Sequence, residues 1–447
     1  MSTQKLMLVS TKQQRIAELA KSYPDRAFCS LHHHLDYAWL VRAYRMIRKD
    51  GAVGVDNVTA DIYEKHFEAN IESLLNRIKS GCYQAPPVKR VYIPKGKDQL
   101  RPIGIPTLED KIVQRAIVML LEPIYECDFS DASFGFRRGR SAHQALQHLR
   151  NRMMDERGRW VLDVDIQKYF DTIDHQHLRD FLSRRVTDGV VRKLIDKWLK
   201  AGIFESGQLQ FSSQGTPQGG VISPLLANIY LHYVLDDWFN TQVTPRMKGR
   251  CSLTRFADDF VLVFEDYIDC YRVQKVLAKR FERFGLRLHP DKTQRIDFRF
   301  IYRKANQQRG KPVNFDFLGF THYWGKSRRG KPVVYQKTAK SRLAKALKSI
   351  TVYCRVHRHD SVANQHKKLN QMLRGHFAYF GITGNGKSLK ILHHKACKIW
   401  KKWLCRRSRK SFIPWDKFQI FLKRFPLTQP KIYHQFIAGH QTAKQSM

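Results

Sequence analysis

The fold of this chain is decided by one stretch, Thr254-Arg255-Phe256-Ala257-Asp258-Asp259-Phe260-Val261-Leu262-Val263-Phe264. Two adjacent aspartates stand where an apolar run of β-branched and aromatic residues begins. This pattern predicts a strand, a tight turn and a buried second strand. Aspartate alone is common in turns, because its side chain bonds the nearby backbone. Ionised carboxylates beside a buried strand need cations, however, and hard oxygen ligands suit Mg²⁺.

The composition indicates a nucleic-acid partner. The 447 residues include 80 Lys and Arg against 39 Asp and Glu, which gives a net charge of +41 spread along the chain. Such an excess predicts a polyanionic ligand and fits poorly with a merely soluble basic protein. Hydrophobic residues make up 43% of the chain, enough for real cores. The length predicts roughly two to four structural units.

The cysteines and the N-terminus indicate the compartment. None of the eight cysteines forms a C-x-x-C pair, so a zinc-supported endonuclease module has no ligands. Scattered free cysteines fit a reducing cytosol, and the N-terminus lacks a secretory signal pattern. No long apolar span is present, which disfavours a membrane role. We therefore expect a cytoplasmic, nucleic-acid-associated protein.

A second acidic centre lies in Trp160-Val161-Leu162-Asp163-Val164-Asp165-Ile166. As a strand, this segment places Val161, Asp163 and Asp165 on one face. It would supply the third ligand that the aspartate pair needs, and a strand with acids on a wet face is the alternative. Two Mg²⁺ ions about 3.5–4 Å apart would clamp an in-line phosphoryl transfer.

Two basic segments are candidate phosphate contacts. Val88 to Ile105 predicts a hairpin with its turn at residues 95–98 and Arg101 near the tip. Protection of an edge strand by charge explains it equally well. Ser133 to His143 combines glycines with arginines, including Arg137, and leads into a helix, where backbone N–H groups favour phosphate. A plain loop is the alternative there.

The most specific stretch is Gln214-Gly215-Thr216-Pro217-Gln218-Gly219-Gly220-Val221-Ile222-Ser223-Pro224-Leu225-Leu226-Ala227-Asn228-Ile229-Tyr230-Leu231. Ser223 and Pro224 predict the N-cap and first position of a helix. Gly219 lacks a side chain, so backbone can approach a ligand closely there. Gln218 adds an amide that can bond a base or a sugar. Further on, Lys292 is a candidate contact for a pyrophosphate leaving group, with a solvated turn lysine as the simpler explanation.

Both ends of the chain have helical spacing. Residues 1–85 are predicted to be helical, and a helix from Leu108 to about Leu121 is expected to end at Pro123. Helix returns from about residue 338 to 400. The segment from Lys395 to Lys410 mixes cations with tryptophans, which suits base stacking combined with phosphate contact. A solvated basic face is the competing explanation.

The order of these motifs resembles the bacterial group II intron reverse transcriptase/maturase family, from about Ala38 to the C-terminal region. The matching motifs are Arg101 to Thr107 and Ser133 to Arg140 for the fingers, Asp165 to Asp171, Gln218-Gly219 with Ser223 to Asn228, and Phe256-Ala257-Asp258-Asp259 for the palm, and Leu373 to Gly381 for the thumb. The chain departs from the family at Phe256, where tyrosine is usual, and in lacking the zinc-bearing endonuclease of some members. Because the ring is kept at Phe256, we expect activity to survive.

The resemblance implies an α+β right-hand polymerase with fingers, a palm built on an antiparallel sheet, and a helical thumb. It divides the chain into a helical N-terminal extension (1–85), reverse transcriptase fingers and palm (86–325), a thumb or maturase domain (326–395) and a basic nucleic-acid-binding region (396–447).

The resemblance also implies RNA-directed DNA synthesis together with maturase activity. Its partners would be group II intron RNA, an RNA template, a DNA primer or target, and dNTPs, and the oligomeric state stays open, with a homodimer included. The implied roles fall on the following residues: Asp165, Asp258 and Asp259 as catalytic ligands of two Mg²⁺ ions, or of Mn²⁺ in their place; Arg101 and Arg137 as triphosphate contacts; Phe170 as a gate against ribonucleotides; and Gln218, Gly219 and Lys292 as further substrate contacts.

Two other functions are compatible with parts of the sequence. One is the reverse transcriptase of another bacterial lineage, of the retron or antiphage type, which the maturase-like thumb and basic tail disfavour. The other is a non-catalytic RNA-binding splicing factor, which the retained carboxylates disfavour.

Overall fold

The computed structural model describes residues 3–94, 100–155, 158–205, 208–210, 214–216, 219–299, 313–408 and 411–436. The first part of the chain is helical, as the sequence predicts for residues 1–85. Its helices are α1 (Thr3–Ser22), α2 (Tyr37–Met46), α3 (Ala60–Glu64) and α4 (Phe67–Lys79). Within the described ranges, no helix is both long enough and apolar enough to cross a bilayer.

The N-terminal helices share a hydrophobic core with the long helix α5 (Leu108–Asp128). The indole N–H of Trp39 in α2 donates to the carbonyl oxygen of Ala116 in α5 at 3.0 Å. On α4, Ile71, Leu74 and Ile78 recur at helical spacing and are buried in the same core. The predicted boundary at residue 85 therefore does not coincide with a break in the packing.

Two helix ends differ from the sequence prediction. Helix α5 does not end before Pro123 but continues to Asp128 with Pro123 inside it. The proline removes one N–H donor, yet the following turn is held by complete burial of Ile124 and Tyr125. Ser223 is the first helical residue rather than the N-cap, because the capping position is Ile222. The backbone N–H of Ile222 donates to Gln114 Oε1 at 3.2 Å instead.

The predicted basic hairpin forms one side of a four-stranded sheet, which we call the hairpin sheet. Its strands have the order β2-β1-β4-β5, with β1 and β2 antiparallel and β1 and β4 parallel. Arg101 pairs with Ile93 near the turn end of the hairpin, and the predicted turn at residues 95–98 itself lies outside the described residues. The strands are β1 (Val88–Pro94), β2 (Leu100–Ile105), β4 (Ile203–Glu205) and β5 (Gln208–Gln210).

A second four-stranded sheet, the central sheet, contains both acidic motifs. All its pairings are antiparallel, in the order β6-β7-β3-β8. The strands are β3 (Trp160–Val164), β6 (Cys251–Phe256), β7 (Asp259–Phe264) and β8 (Gln294–Asp297), and the surrounding helices are α6 (Ala142–Asp155), α7 (Tyr169–Thr172), α8 (His175–Ser183), α9 (Gly189–Lys200), α10 (Ser223–Leu231) and α11 (Tyr267–Arg283). The predicted hairpin over residues 254–264 is therefore confirmed.

The two faces of the central sheet belong to different cores. Side chains alternate along a strand, so Phe260, Leu262 and Phe264 enter the core that contains α10 and α11. Val261 and Val263 point to the opposite face and join a second core, which contains the C-terminal helices. Asp163 pairs with Val261 across the β3–β7 ladder and therefore lies on that second face.

The C-terminal third forms a three-stranded sheet followed by helices. The sheet has the order β11-β10-β9. Its strands are β9 (Asn314–Phe317), β10 (Phe320–Lys326) and β11 (Pro332–Thr338), and the helices are α12 (Lys340–Val356), α13 (Val362–Phe380), α14 (Gly386–Leu404) and α15 (Trp415–Arg424). The predicted boundary between residues 395 and 396 falls inside α14. The thumb-like and basic segments therefore share one continuous helix.

One tryptophan of the predicted basic stacking segment belongs to the core. Trp400 is fully buried, and its indole N–H donates to Gln365 Oε1 in α13 at 2.9 Å. Its helical spacing with Ala396 and Leu404, which are also buried, explains this position. Trp415, by contrast, is 47% exposed. The stacking surface expected from the sequence is therefore reduced to the tryptophans outside this core.

Candidate active site

The turn between β6 and β7 presents the aspartate pair at the end of the central sheet. Phe256 pairs with Asp259, so that only Ala257 and Asp258 form the turn. Ala257 has a positive φ of 58°, as tight two-residue hairpin turns require. Asp165 directly follows β3, the strand next to β7. The predicted third carboxylate is therefore brought to the same end of the sheet.

The carboxylates at this end of the sheet act on one another electrostatically. Burial, reinforced by Asp258 and Asp165, raises the pKa of Asp259 to about 6, against the lowering effects of Lys292 and Arg342. Burial, followed by Asp259, Asp165 and Asp316, raises the pKa of Asp163 to about 7. Like charges repel strongly in a partly desolvated site. When ionised, the carboxylates of this cluster are therefore not fully compensated by positive charge.

Lys292 supplies one positive charge to this cluster. Its Nζ lies 2.7 Å from Oδ2 of Asp165, and just over half of the lysine side chain is exposed. The lysine therefore contacts a carboxylate rather than standing as a solvated turn residue, and its predicted contact with a pyrophosphate leaving group stays a prediction. A pair this exposed exchanges easily, because surface ion pairs contribute little free energy.

Carboxylate oxygens suit a hard divalent cation, although the described side chains are not arranged as a formed metal site. Across the described ranges, no three Asp, Glu, His or Cys side chains already have the arrangement of a metal site. Carboxylate oxygens are nevertheless the ligands that Mg²⁺ prefers. The raised pKa values of Asp163 and Asp259 show that the ionised cluster lacks compensation. A cation would provide that compensation, with Lys292 released from Asp165.

The aspartate turn rests on the segment that precedes α6. Arg255 on β6 donates its backbone N–H to Ala132 at 2.8 Å, and its carbonyl accepts from Phe134 at 2.9 Å. These bonds extend the central sheet by a short parallel bridge. A side chain on Gly135 would overlap the backbone nitrogen of Ala257. Only glycine therefore allows this segment to lie directly beneath the turn.

A buried guanidinium holds the same turn from inside the protein. Arg255 is fully buried and forms an ion pair with Asp236 through Nε at 2.8 Å and Nη2 at 2.5 Å. Its Nη1 donates to the carbonyl of Ala257 at 3.0 Å and to Oδ1 of Asn228 at 2.9 Å. Asn228 in turn donates to the carbonyl of Gly135 at 2.7 Å. This network joins the turn, α10, the segment after α10 and the segment before α6.

Arg137 does not lie in the carboxylate cluster. Its side chain is only 3% exposed and is paired with Glu126 in α5 at 2.9 Å. Its Nη1 donates to the carbonyl oxygens of Ser130 and Ser133 at 2.7 and 2.8 Å. These contacts fix the loop that supports the aspartate turn. The donors of Arg137 are therefore already bonded within the protein, and its predicted triphosphate contact stays a prediction.

Phe170 and Arg101 both lie near the loop that leads into α10. The backbone N–H of Thr216 donates to the carbonyl of Phe170 at 2.8 Å, so that α7 carries this loop. Phe170 itself is buried. Arg101 is exposed on β2. Burial raises the pKa of Asp171, and Arg101 is one of the cations that oppose this shift. Phe170 therefore lies on α7 itself, and Arg101 lies close enough to act electrostatically on Asp171 of the same helix.

Gly219 makes a close approach within the chain. It has a φ of 117°, and a side chain there would overlap the carbonyl oxygen of Gly104 on β2. The sequence predicted that a ligand lies close to the backbone of Gly219, but in the structure β2 of the hairpin sheet occupies that position. Gln218 lies outside the described residues, so its predicted contact with a base or sugar stays a prediction.

Comparison with known proteins identifies the family of these motifs. Residues 93–322 match the family model described as reverse transcriptase (RNA-dependent DNA polymerase). Protein YkfC of Escherichia coli strain K12 is 37% identical over 289 residues, which cover 58% of this chain and 76% of that protein. The group II intron-encoded protein LtrA of Lactococcus lactis is 37% identical over 223 residues, covering 49% of this chain and 37% of LtrA.

A more distant relative carries the maturase name. The nuclear intron maturase 4 of Arabidopsis thaliana mitochondria is 26% identical over 203 residues, covering 44% of this chain and 25% of that protein. The resemblance to group II intron reverse transcriptases and maturases is therefore confirmed. The matched region spans only part of LtrA and of the plant maturase.

The buried ion pair beneath the turn makes the first prediction. Arg255→Met leaves Asp236 buried and unpaired, so the free energy of unfolding should fall by about 3–5 kcal/mol in denaturant titrations. Adding Asp236→Leu should restore most of this loss, since an apolar pair of similar volume is often neutral. Primer extension on an RNA template should stay about 100-fold lower in the double variant, because the Ala257 carbonyl has lost its donor. Full activity in a restabilised double variant would limit Arg255 to a stabilising role.

Proposed function

The chain belongs to the reverse transcriptase family, and we propose that it is the RNA-directed DNA polymerase of a group II intron, which also binds the intron RNA and promotes its splicing. The observation that carries this proposal is the convergence of Asp165, Asp258 and Asp259 at one end of the central sheet. In the proposed layout, the hairpin sheet belongs to the fingers, the central sheet is the palm, and α12–α14 form the thumb.

The three aspartates would hold two Mg²⁺ ions, with Mn²⁺ as a substitute. Bound there, the cations would activate the primer 3′-hydroxyl and offset the charge of the triphosphate. The ion pair between Lys292 and Asp165 (2.7 Å) would open when the carboxylate takes its metal. The ammonium group would then be free to face the departing pyrophosphate. Asp163 lies on the same face of the sheet and adds to the negative charge that draws cations in.

The dNTP would lie between the carboxylates and the hairpin sheet. Arg101 is the proposed triphosphate contact, because it is exposed on β2 and its charge is felt at Asp171. Phe170 is the proposed gate, since a ring beneath the sugar would clash with a 2′-hydroxyl group. Gln218 would contact the base or the sugar. Gly219 would keep this loop against β2 and so set the depth of the pocket.

Intron RNA would bind a C-terminal basic surface, which we define as Lys401, Lys402, Trp403, Arg406 and Trp415. Lys401 lies 4.6 Å from the ring centre of Trp415, and Arg406 lies 5.4 Å from that of Trp403. Cations held over indole rings present charge and a stacking face together, which suits RNA loops. The aligned names of intron-encoded and maturase proteins support RNA of this class as the ligand.

Metal binding should depend on pH in a defined direction. Because the pKa of Asp259 is raised to about 6 and that of Asp163 to about 7 from 3.8, the folded state binds extra protons between those values. Without cations, the free energy of unfolding should therefore fall as pH rises from about 4 to 7. Mg²⁺ should reverse this loss, so it should raise the unfolding temperature more at about pH 8 than at about pH 5.

The control for this effect is a carboxylate outside the cluster. Asp258→Asn should remove most of the pH-dependent response to Mg²⁺. Asp61→Asn, at an exposed position on α3, should leave the response unchanged. An equal Mg²⁺ effect at both pH values, or an undiminished effect in Asp258→Asn, would contradict the metal assignment.

The maturase proposal is tested by charge changes on the C-terminal basic surface. Deletion after Lys395 would cut α14 and expose the Trp400 core, so substitutions are the sharper experiment. Lys402→Glu with Arg406→Glu should reduce splicing of the flanking intron at low Mg²⁺ by about 10-fold or more, because both cations lie over Trp403. Primer extension on a simple primed template should fall less.

Lys193→Glu with Lys200→Glu makes the same change of net charge on exposed positions of α9. This matched variant should splice as the unaltered protein does. If both double variants splice equally well, or if the unaltered protein never promotes splicing, the maturase proposal fails and a stand-alone polymerase remains.

A further inference from the structure

A cleft of about 510 Å³ opens on the face of the central sheet opposite to Asp163. Its walls come from α8, from the residues that follow α10, and from the end of α11. Helix α11 packs on the sheet through Phe281, whose ring centre lies 5.9 Å from that of Phe260. Because Phe260 and Asp163 point to opposite faces of the sheet, this cleft is separate from the carboxylate cluster.

The cleft combines aromatic rings with guanidinium groups. Arg184 lies 4.7 Å from the ring centre of Tyr233, and Arg280 lies 4.5 Å from that of Phe284. Arg283 stands at the same mouth, 5.9 Å from Phe284. Such pairs of flat rings and planar cations are the surfaces on which bases stack.

The three arginines have different roles. Arg280 is committed to the fold, since it donates to the carbonyl oxygens of Tyr233 and Val234 at 3.2 and 3.1 Å. These carbonyls belong to a π-helical turn over His232–Asp236, a feature that often marks functional sites. Arg184 and Arg283 are exposed, and within the described ranges neither forms an ion pair. Two guanidinium groups are thus available to an anion at the mouth.

The cleft continues into a second groove of about 250 Å³. Trp238 and Gln242 line both cavities, and the second adds Arg246 and Arg272. Arginine side chains therefore line both cavities and not only the first. Cations at the ends of α8 and α11 would also stabilise those helix ends, but this effect does not account for the aromatic walls or for the continuation past Trp238.

We propose that this cleft binds a single-stranded segment of RNA, with one base beside the Arg184–Tyr233 and Arg280–Phe284 pairs and the adjacent phosphates on Arg184 and Arg283. Asp180 and Asp237 also line the cleft and would accept hydrogen bonds from base amino groups. The path past Trp238 gives the strand room to continue toward Arg246 and Arg272. The proposal rests on the proposed RNA-binding function but not on the polymerase chemistry.

The location of the RNA is tested by photocross-linking. The probe is a single-stranded RNA of about 20 nucleotides that contains 4-thiouridine, and cross-linked peptides of the full chain are mapped by mass spectrometry. Peptides that contain Tyr233 or Phe284 should be among the major products. Phe284→Leu should reduce its own peptide's yield, because the aliphatic side chain fills the wall but offers no stacking face. Cross-links confined to other surfaces would overturn the proposal.

The phosphate contacts are tested by the salt dependence of affinity. Fluorescence anisotropy with the same RNA should show that Arg184→Glu with Arg283→Glu lowers the slope of log affinity against log salt by about 1.4, since each single-strand contact contributes about 0.7. Lys193→Glu with Lys200→Glu alters net charge equally and should change the slope little. Equal slopes in the two double variants would overturn the assignment of phosphates to this cleft.

Two further measurements separate this proposal from its premises. Thermal unfolding of each variant reports whether the fold is kept, and Arg184→Gln with Arg283→Gln offers a milder change that should give the same direction of effect. If the unaltered protein binds no RNA, the proposed function and the cleft fail together. If it binds RNA and extends primers while cross-links avoid Tyr233 and Phe284, the cleft proposal alone fails.

Discussion

The geometry of the aspartate turn depends on one buried ion pair, between Arg255 and Asp236. Both side chains are fully withdrawn from water, so each charge is tolerated only because the other is present. The same guanidinium holds the carbonyl of Ala257 and the side chain of Asn228. A shift of the aspartate turn would therefore break a desolvated charge pair. We infer that this coupling keeps Asp258 and Asp259 in place despite their mutual repulsion.

The central sheet separates two hydrophobic cores. One face is sealed by α10 and α11, whereas the other carries Asp163 and faces the C-terminal helices. Carboxylates on the second face stay ionised only where positive charge is close to them. The face covered by α10 and α11 carries the arginine-lined cleft at the end of α11. Two nucleic-acid contacts on opposite faces would let the protein hold one RNA while copying another strand.

The sequence predicted the features that depend on local periodicity. The alternating apolar residues and the turn predicted the hairpin around Asp258. The strand pattern before Asp165 predicted that this residue lies beside the hairpin. The sequence could not predict that Arg137 and Arg255 are buried, because each is paired with a carboxylate elsewhere in the chain, Glu126 in one case and Asp236 in the other. One local pattern did indicate that Arg255 is buried, since its neighbours in β6 are mostly buried. Trp400 likewise had buried neighbours at helical spacing.

We propose that the carboxylates on this turn perform RNA-templated DNA synthesis. The most direct measurement is primer extension on an RNA template with dNTPs and Mg²⁺, comparing the unaltered protein with Asp258→Ala and measuring RNA affinity in parallel. The unaltered protein should extend the primer, and the variant should lose extension while keeping its affinity for RNA. Extension by Asp258→Ala at the rate of the unaltered protein would contradict it.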